Sequence, residues 1–217
     1  TMKYKAAVFD MDGTILDTLS DLADAMNYEL CKNGMPVRTI DEIRRFVGNG
    51  IQKLIERAVP VGTTSSTVNA IFVDFIDYYK THCEIATKPY DGIESLLKNL
   101  KEAGLKTAVN SNKADAAVQI LCERYFPNLF DCAVGKKEGI AKKPAPDSVN
   151  DILRQLGVPK HEAVYIGDSD VDFETARNAG QDFIGVDWGF CGKDFLRAYG
   201  AKKIAFNTED VLRFILG

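Results

Sequence analysis

The sequence is poor in the residues that most often build metal and nucleophile sites in small enzymes. Among 217 residues there are two histidines, His82 and His161, and neither falls in a motif, so both are expected to face solvent. The five cysteines, Cys31, Cys83, Cys122, Cys132 and Cys191, are scattered, odd in number and never spaced CxxC. That pattern speaks against a disulfide framework or zinc and for reduced core thiols in the cytoplasm. No apolar run approaches the roughly 18 residues that cross a bilayer, and "TMKYKAAVFD" enters a strand-like segment without the long apolar region of a signal peptide. A net charge of −4 provides no basic field, so neither nucleic acid nor an anionic membrane is an expected partner. Internal repeats and low-complexity segments are also missing.

What is present suits a soluble enzyme: 46% hydrophobic and 27% charged residues, in a chain long enough for a core domain carrying a smaller insertion. Residues 4–9 read as a short buried strand. Asp17-Thr18 then offer N-cap chemistry, and Leu19, Leu22, Ala23, Met26 and Leu30 recur at helical spacing. Thr39-Ile40-Asp41-Glu42 has the form of a capping box, opening a helix that stops at Val47-Gly48-Asn49-Gly50. Another helix runs to about Val59, and Val68, Ile71, Phe72, Phe75, Ile76 and Tyr79 mark a long amphipathic one. Beyond "KPYDG" the rhythm changes to alternating strands and helices: "LKTAVN", "DCAVG", "AVYIG" and "DFIGV" as strands, "SVNDILRQLG" and "ETARNAG" as helices, and Asn207 capping a last one. Such alternation predicts an α/β fold, a Rossmann-like doubly wound parallel sheet built by right-handed crossovers. The expected core is 1–16 plus 86–217, with an all-helical insertion at 17–85.

Ligands of open parallel sheets bind at the carboxyl ends of the strands, and four such ends carry charged or hydroxyl groups here. The first is followed by Asp10 and Asp12. "LKTAVN" is followed by Ser111, Asn112 and Lys113, and "DCAVG" leads to "KKPAPD" with Lys142 and Lys143. "AVYIG" is followed by "DSDVD", with Asp168, Ser169, Asp170 and Asp172. Asp10 and Asp12, two apart on an extended segment, point the same way. If Asp168 faces them from a neighbouring strand, three carboxylates share a small volume, and their repulsion is severe unless a cation sits among them or their pKa values rise. Hard oxygen ligands that leave room for water and a phosphate suit Mg2+ better than Zn2+. Acids that hold a metal, beside donors that hold an anion, form a layout for phosphoryl transfer.

The same four segments resemble the four motifs of the haloacid-dehalogenase (HAD) superfamily phosphatases. "DMDGT" resembles the first, Ser111 in "VNSNK" the second, Lys143 in "KKPAPD" the third and "GDSDVD" the fourth. The resemblance implies that Asp10 is the nucleophile, forming an aspartyl-phosphate, and that Asp12 is the general acid and base. It implies that Asp10, the carbonyl of Asp12 and Asp168 hold Mg2+, that Ser111, Asn112 and Lys143 hold the phosphoryl oxygens, and that Gly13, Ser169 and Asp172 support the site. The inserted helices resemble the family's mobile cap, in which Asn49, Gln52 and Lys53 are candidate specificity residues. "DTLSDLADAMNYEL", "EIRRFVGNGIQKLIERA" and "YDGIESLLKNLKEAGLKTAV" resemble phosphoglycolate phosphatases in particular. The implied activity is hydrolysis of a small phosphorylated metabolite, phosphoglycolate foremost, by a monomer or homodimer. The alternatives are a sugar phosphomutase of the β-phosphoglucomutase kind or another small-metabolite phosphatase. Asn110, where the family more usually has an apolar residue, and the extra acid Asp170 are the departures. A serine hydrolase is disfavoured because "GDSDV" lacks the second Gly of GxSxG, and a P-loop because "DWGFCGKD" has Asp187 and Asp194 where Gly and Ser or Thr belong.

Overall fold

A computed structural model describes residues 2–217, and Thr1 lies outside the described residues. The chain divides into two compact units, one of residues up to Leu16 together with Pro89–Gly217, the other Asp17–Lys88.

The first unit is built on strand β1 (Ala6–Phe9), whose four residues are all buried. A strand buried on both faces must be apolar throughout, as a central strand of a parallel sheet is. Its two faces serve two cores. Ala7 and Phe9 pack with helices α5 (Ile93–Glu102), α6 (Asp115–Tyr125) and α10 (Thr208–Leu216), while Ala6 and Val8 pack with α7 (Asp147–Leu156) and α8 (Asp170–Ala179). The period-two alternation of strand side chains therefore makes a three-layer sandwich. β1 pairs in parallel with β4 (Lys106–Ala114) on one side and β6 (Ala163–Gly167) on the other. With β5 (Cys132–Lys136), β7 (Asp182–Val186) and β8 (Ile204–Ala205), the sheet order is β5-β4-β1-β6-β7-β8, every pairing parallel. This is a Rossmann-like α/β core. Two short strands, β2 (Leu16–Asp17) and β3 (Lys88–Pro89), form a separate pair.

The second unit contains α1 (Leu19–Lys32), α2 (Ile40–Phe46), α3 (Ile51–Ala58) and α4 (Ser65–His82). The Thr39–Glu42 capping box forms, with each side chain accepting from the other's backbone N–H. Thr18, by contrast, makes no side-chain cap bond, and the nearest substitute is Asp17 Oδ1, 3.4 Å from Leu19 N.

Three elements differ from the sequence pattern. β4 does not stop at Asn110 but continues through Ser111, Asn112 and Lys113, with its register to β5 shifting between Asn110 and Ala114. α8 starts at Asp170 rather than near Glu174, because Ser169 and Asp172 form their own capping box. A further helix, α9 (Gly192–Tyr199), stands where only a tail was expected. The cysteines are all free, but only Cys83 and Cys122 are buried, so the expectation of core thiols holds for two of five. His161 is exposed and His82 half-buried, stacked on Tyr78 with ring centroids 3.8 Å apart. Among the described residues no helix is long and apolar enough to cross a membrane.

Candidate active site

Asp10 is the first residue past β1, and its N–H donates to the carbonyl of Ile166 in β6. The chain then turns tightly: the N–H groups of Thr14, Ile15 and Leu16 all donate to the carbonyl of Met11. Gly13 takes φ +87°, and a Cβ there would lie 2.4 Å from Asp168 Oδ2. Both the left-handed backbone and the close approach demand glycine at this point.

Asp168 leaves the end of β6, and Asp172 sits in the first turn of α8. Asp172 Oδ2 accepts from the N–H groups of Asp168 and Ser169 and from Ser169 Oγ, the last at 2.8 Å. Asp172 Oδ1 and Asp10 Oδ1 each accept from Lys143 Nζ at 2.7 Å. Asp168 accepts from the Phe190 N–H at 2.7 Å and lies 3.5 Å from Thr14 Oγ1. One oxygen from each of Asp10, Asp168 and Asp172 falls within 4.8 Å of the others, and all three residues are buried.

Three buried carboxylates thus face one ammonium. Burial, then the charge of Asp172, pushes the Asp10 carboxyl up to about 7. Burial, then the charges of Asp172 and Asp10, pushes Asp168 well above the carboxylate range. Burial acts to lower Lys143, but Asp10 and Asp172 outweigh it and hold the ammonium well above the ordinary lysine value. The cluster's surplus of negative charge, in oxygen donors alone, fits a hard divalent cation such as Mg2+ and not a soft or nitrogen-preferring one.

Asp12 is not part of this cluster. Its carboxylate pairs with Lys113 Nζ at 3.2 Å. Ser111 Oγ accepts from the Lys113 N–H at 3.1 Å. Asn112, expected at the phosphoryl oxygens, directs its amide to the main chain of Lys143: Oδ1 accepts from Lys143 N at 2.9 Å and Nδ2 donates to Lys143 O at 3.2 Å. Its side chain thereby fixes the loop that carries Lys143. Asp170 is half-buried and Lys142 exposed, both outside the carboxylate cluster. Asn49, Gln52 and Lys53 lie in the second unit. There Asn49 Oδ1 accepts from Arg57, and Gln52 and Lys53 both contact Glu56.

Sequence reasoning missed a buried polar network beneath Lys143. Ser148 Oγ donates to Asn110 Oδ1 at 2.7 Å, and Tyr165 OH donates to the Asn110 carbonyl at 3.2 Å. Asn110, the residue departing from an apolar pattern, is therefore a satisfied buried amide. It also missed the Phe190 N–H, and it placed Lys113 at the strand end without giving it a role. For Lys113 a signal existed, since a strand places i and i+2 on one side and Ser111 is two residues away.

A family model described as haloacid dehalogenase-like hydrolase matches residues 7–186. A phosphoglycolate phosphatase from Mesorhizobium japonicum is 32% identical over 193 residues, covering 87% of this chain and 85% of that one. An N-acetylmuramic acid 6-phosphate phosphatase from Pseudomonas aeruginosa is 30% identical, covering 87% and 84%. A crystal structure from Lactobacillus delbrueckii subsp. bulgaricus, provisionally named a phosphoglycolate phosphatase, is 42% identical with a TM-score of 0.95 over 100% of both chains.

Proposed function

The chain belongs to the haloacid dehalogenase-like hydrolase family, and from that premise we propose that it is a Mg2+-dependent phosphatase of a small phosphate monoester. The observation that carries the reading is the clustering of the Asp10, Asp168 and Asp172 carboxylates, two of which, Asp10 and Asp172, share the buried ammonium of Lys143. The names of the Mesorhizobium and Pseudomonas relatives support phosphoglycolate as the first substrate to test and a sugar-acid phosphate as the second. Residues 17–85, within the second unit, are assigned as the cap that selects the leaving group.

In this mechanism Asp10 attacks phosphorus and carries the phosphoryl group as an aspartyl-phosphate. Asp12 gives a proton to the leaving alkoxide and later takes one from the attacking water. Ser111 and Lys143 hold the phosphoryl oxygens, with Lys143 fixed at both its main-chain polar groups by Asn112. Asp10, the Asp12 carbonyl and Asp168 would hold Mg2+, and Asp172 orients both Lys143 and the start of α8. When bound, the metal neutralises charge on the phosphoryl group and its neighbouring acids. Gly13 keeps the turn clear of Asp168.

The test is phosphate release from p-nitrophenyl phosphate with Mg2+ and with a chelator, followed by a panel of phosphorylated metabolites ranked by kcat/KM. Turnover that requires the metal is expected. No release at any Mg2+ concentration overturns the phosphatase reading, and isomerisation of a sugar phosphate without release moves the protein to the phosphomutases.

A pH prediction follows from the raised acids. The folded, metal-free protein holds a proton on Asp10 that the unfolded chain releases near the ordinary value of 3.8. Stability from this group is thus complete below about pH 4 and is lost as the pH rises through about 7. Asp168 works in the same direction, whereas Lys143, raised from an already high value, loses its contribution only at strongly alkaline pH. The expected outcome in calorimetry is a metal-free Tm several degrees lower at pH 8 than at pH 5.5, with Mg2+ raising Tm more at pH 8. An equal Mg2+ effect at both values would separate the metal from these carboxylates.

A further inference from the structure

We propose that Lys113 is the positioning residue for Asp12, holding one oxygen of its carboxylate so that the group meets the leaving oxygen in a fixed orientation. The proposal rests on the phosphatase reading, in which Asp12 exchanges protons with the leaving group.

Two buried lysines divide the acids of the site. Lys143 takes Asp10 and Asp172, and Lys113 takes Asp12 Oδ1 at 3.2 Å. The Lys113 side chain is only 4% exposed against 22% for Asp12. Burying an ammonium is costly unless it is paired, so this lysine's place next to Asp12 has to be held by the surrounding structure.

That holding is visible along its backbone. The Lys113 N–H donates to Ser111 Oγ. On β5, a Cβ at Gly135 would lie 2.6 Å from the Lys113 carbonyl, so the two strands meet here at a separation only glycine permits. The Gly135 N–H in turn donates to Asp115 Oδ1 at 2.8 Å, two residues after Lys113. Lys113 thus lies within the irregular stretch of β4 between Asn110 and Ala114, where these contacts with β5 and the start of α6 fix its backbone, the arrangement that orients a reacting group well.

An ammonium at one oxygen of Asp12 does two things. It sets the plane of the carboxylate, and its positive charge offsets the repulsion that the Asp10–Asp168–Asp172 group exerts on that carboxylate. Lys113 acts through Asp12 and not through the phosphoryl group.

The test uses leaving-group dependence. The quantity kcat/KM reports steps up to departure of the leaving group, and p-nitrophenolate departs without a proton whereas an alkoxide needs one. The wild type, Lys113→Met, Lys113→Arg, Asp12→Asn and the Lys113→Met/Asp12→Asn double variant are compared on p-nitrophenyl phosphate and on an alkyl ester the wild type hydrolyses, phosphoglycolate first. The alkyl-to-aryl ratio of kcat/KM is expected to fall about tenfold in Lys113→Met. A larger fall is expected in Asp12→Asn, a largely restored ratio in Lys113→Arg, and no additional fall in the double variant. A ratio unchanged in Lys113→Met but lowered in Asp12→Asn overturns the positioning role alone. A ratio unchanged in Asp12→Asn overturns the acid role on which it rests. A general structural defect would lower both esters together and leave the ratio where it was, which also counts against the proposal. Should Lys113→Met fail to fold, Lys113→Arg decides: an unrestored ratio with a native Tm rejects positioning.

Discussion

Asp10→Asn is expected to lose at least about four orders of magnitude in kcat against p-nitrophenyl phosphate while the protein stays folded. The loss follows from chemistry at a single atom, because an amide oxygen is a poor nucleophile and forms no stable acyl phosphate. The fold survives because the substitution keeps the side chain's shape and relieves a cluster that already holds too much negative charge. Lys143 keeps its 2.7 Å bond to Asp172, and the carboxyl pushed up to about 7 is removed. The metal-free variant should therefore match or exceed the wild-type Tm at pH 8 and show a flatter dependence of Tm on pH. Acid quenching during turnover of a radiolabelled phosphate ester should leave label on the wild-type protein and none on the variant. Turnover comparable to the wild type, or label retained elsewhere on the chain, would end the covalent mechanism at Asp10.

The positions of Asp10 and Asp168 are legible in the sequence because each ends a run of residues buried on both faces, "AAVF" and "AVYIG". An apolar run that stops at an acid marks both a strand and its carboxyl end. The glycine C-caps are equally plain: Gly157 closes α7 in the left-handed region, as its place after a periodic stretch suggests. The course of β4 is not legible in this way. "SNK" breaks the apolar pattern, so by composition alone the strand ends at Asn110, yet Ser111, Asn112 and Lys113 are buried because each finds a polar partner within the site. The partners of Asn112 and Lys113 are Lys143 and Asp12, far away along the chain, and no local period encodes them, whereas Ser111 accepts from the nearby Lys113 N–H. The same holds for Asn110, whose Ser148 and Tyr165 partners are 38 and 55 residues distant. α9 escapes for a different reason. With eight residues and one buried side chain, Leu196, it has too short an apolar stripe to show a period.

Lys143→Ala carries the largest expected effect on stability. The ammonium is 3% exposed in its side chain and sits 2.7 Å from both Asp10 and Asp172. Its removal leaves three buried carboxylates within 4.8 Å of one another with no neighbouring cation in the cluster. Breaking a buried ion pair from one side costs about 3–5 kcal/mol, because the remaining charge is stranded in a low-dielectric site. The variant's metal-free Tm at pH 8 should accordingly fall by roughly 10 °C or more in a domain of this size. Two conditions should recover most of that loss. At pH 5 the raised acids, Asp10 and Asp168, are protonated, so the missing ammonium matters less. With Mg2+ at saturation, a divalent cation compensates the same carboxylates and stabilises the folded state by mass action. Lys143→Arg should recover charge but not geometry, since a planar fork cannot reproduce a point donor shared between two carboxylates. Activity should fall by about 10²–10³-fold in Lys143→Ala even with Mg2+ present, because the phosphoryl oxygens lose a preorganised cation. The discriminating measurement is the Tm difference between wild type and Lys143→Ala across pH 5 to 8, with and without Mg2+. A difference that stays constant over that range would mean that Lys143 acts by packing alone, and that the electrostatic account of the site is wrong.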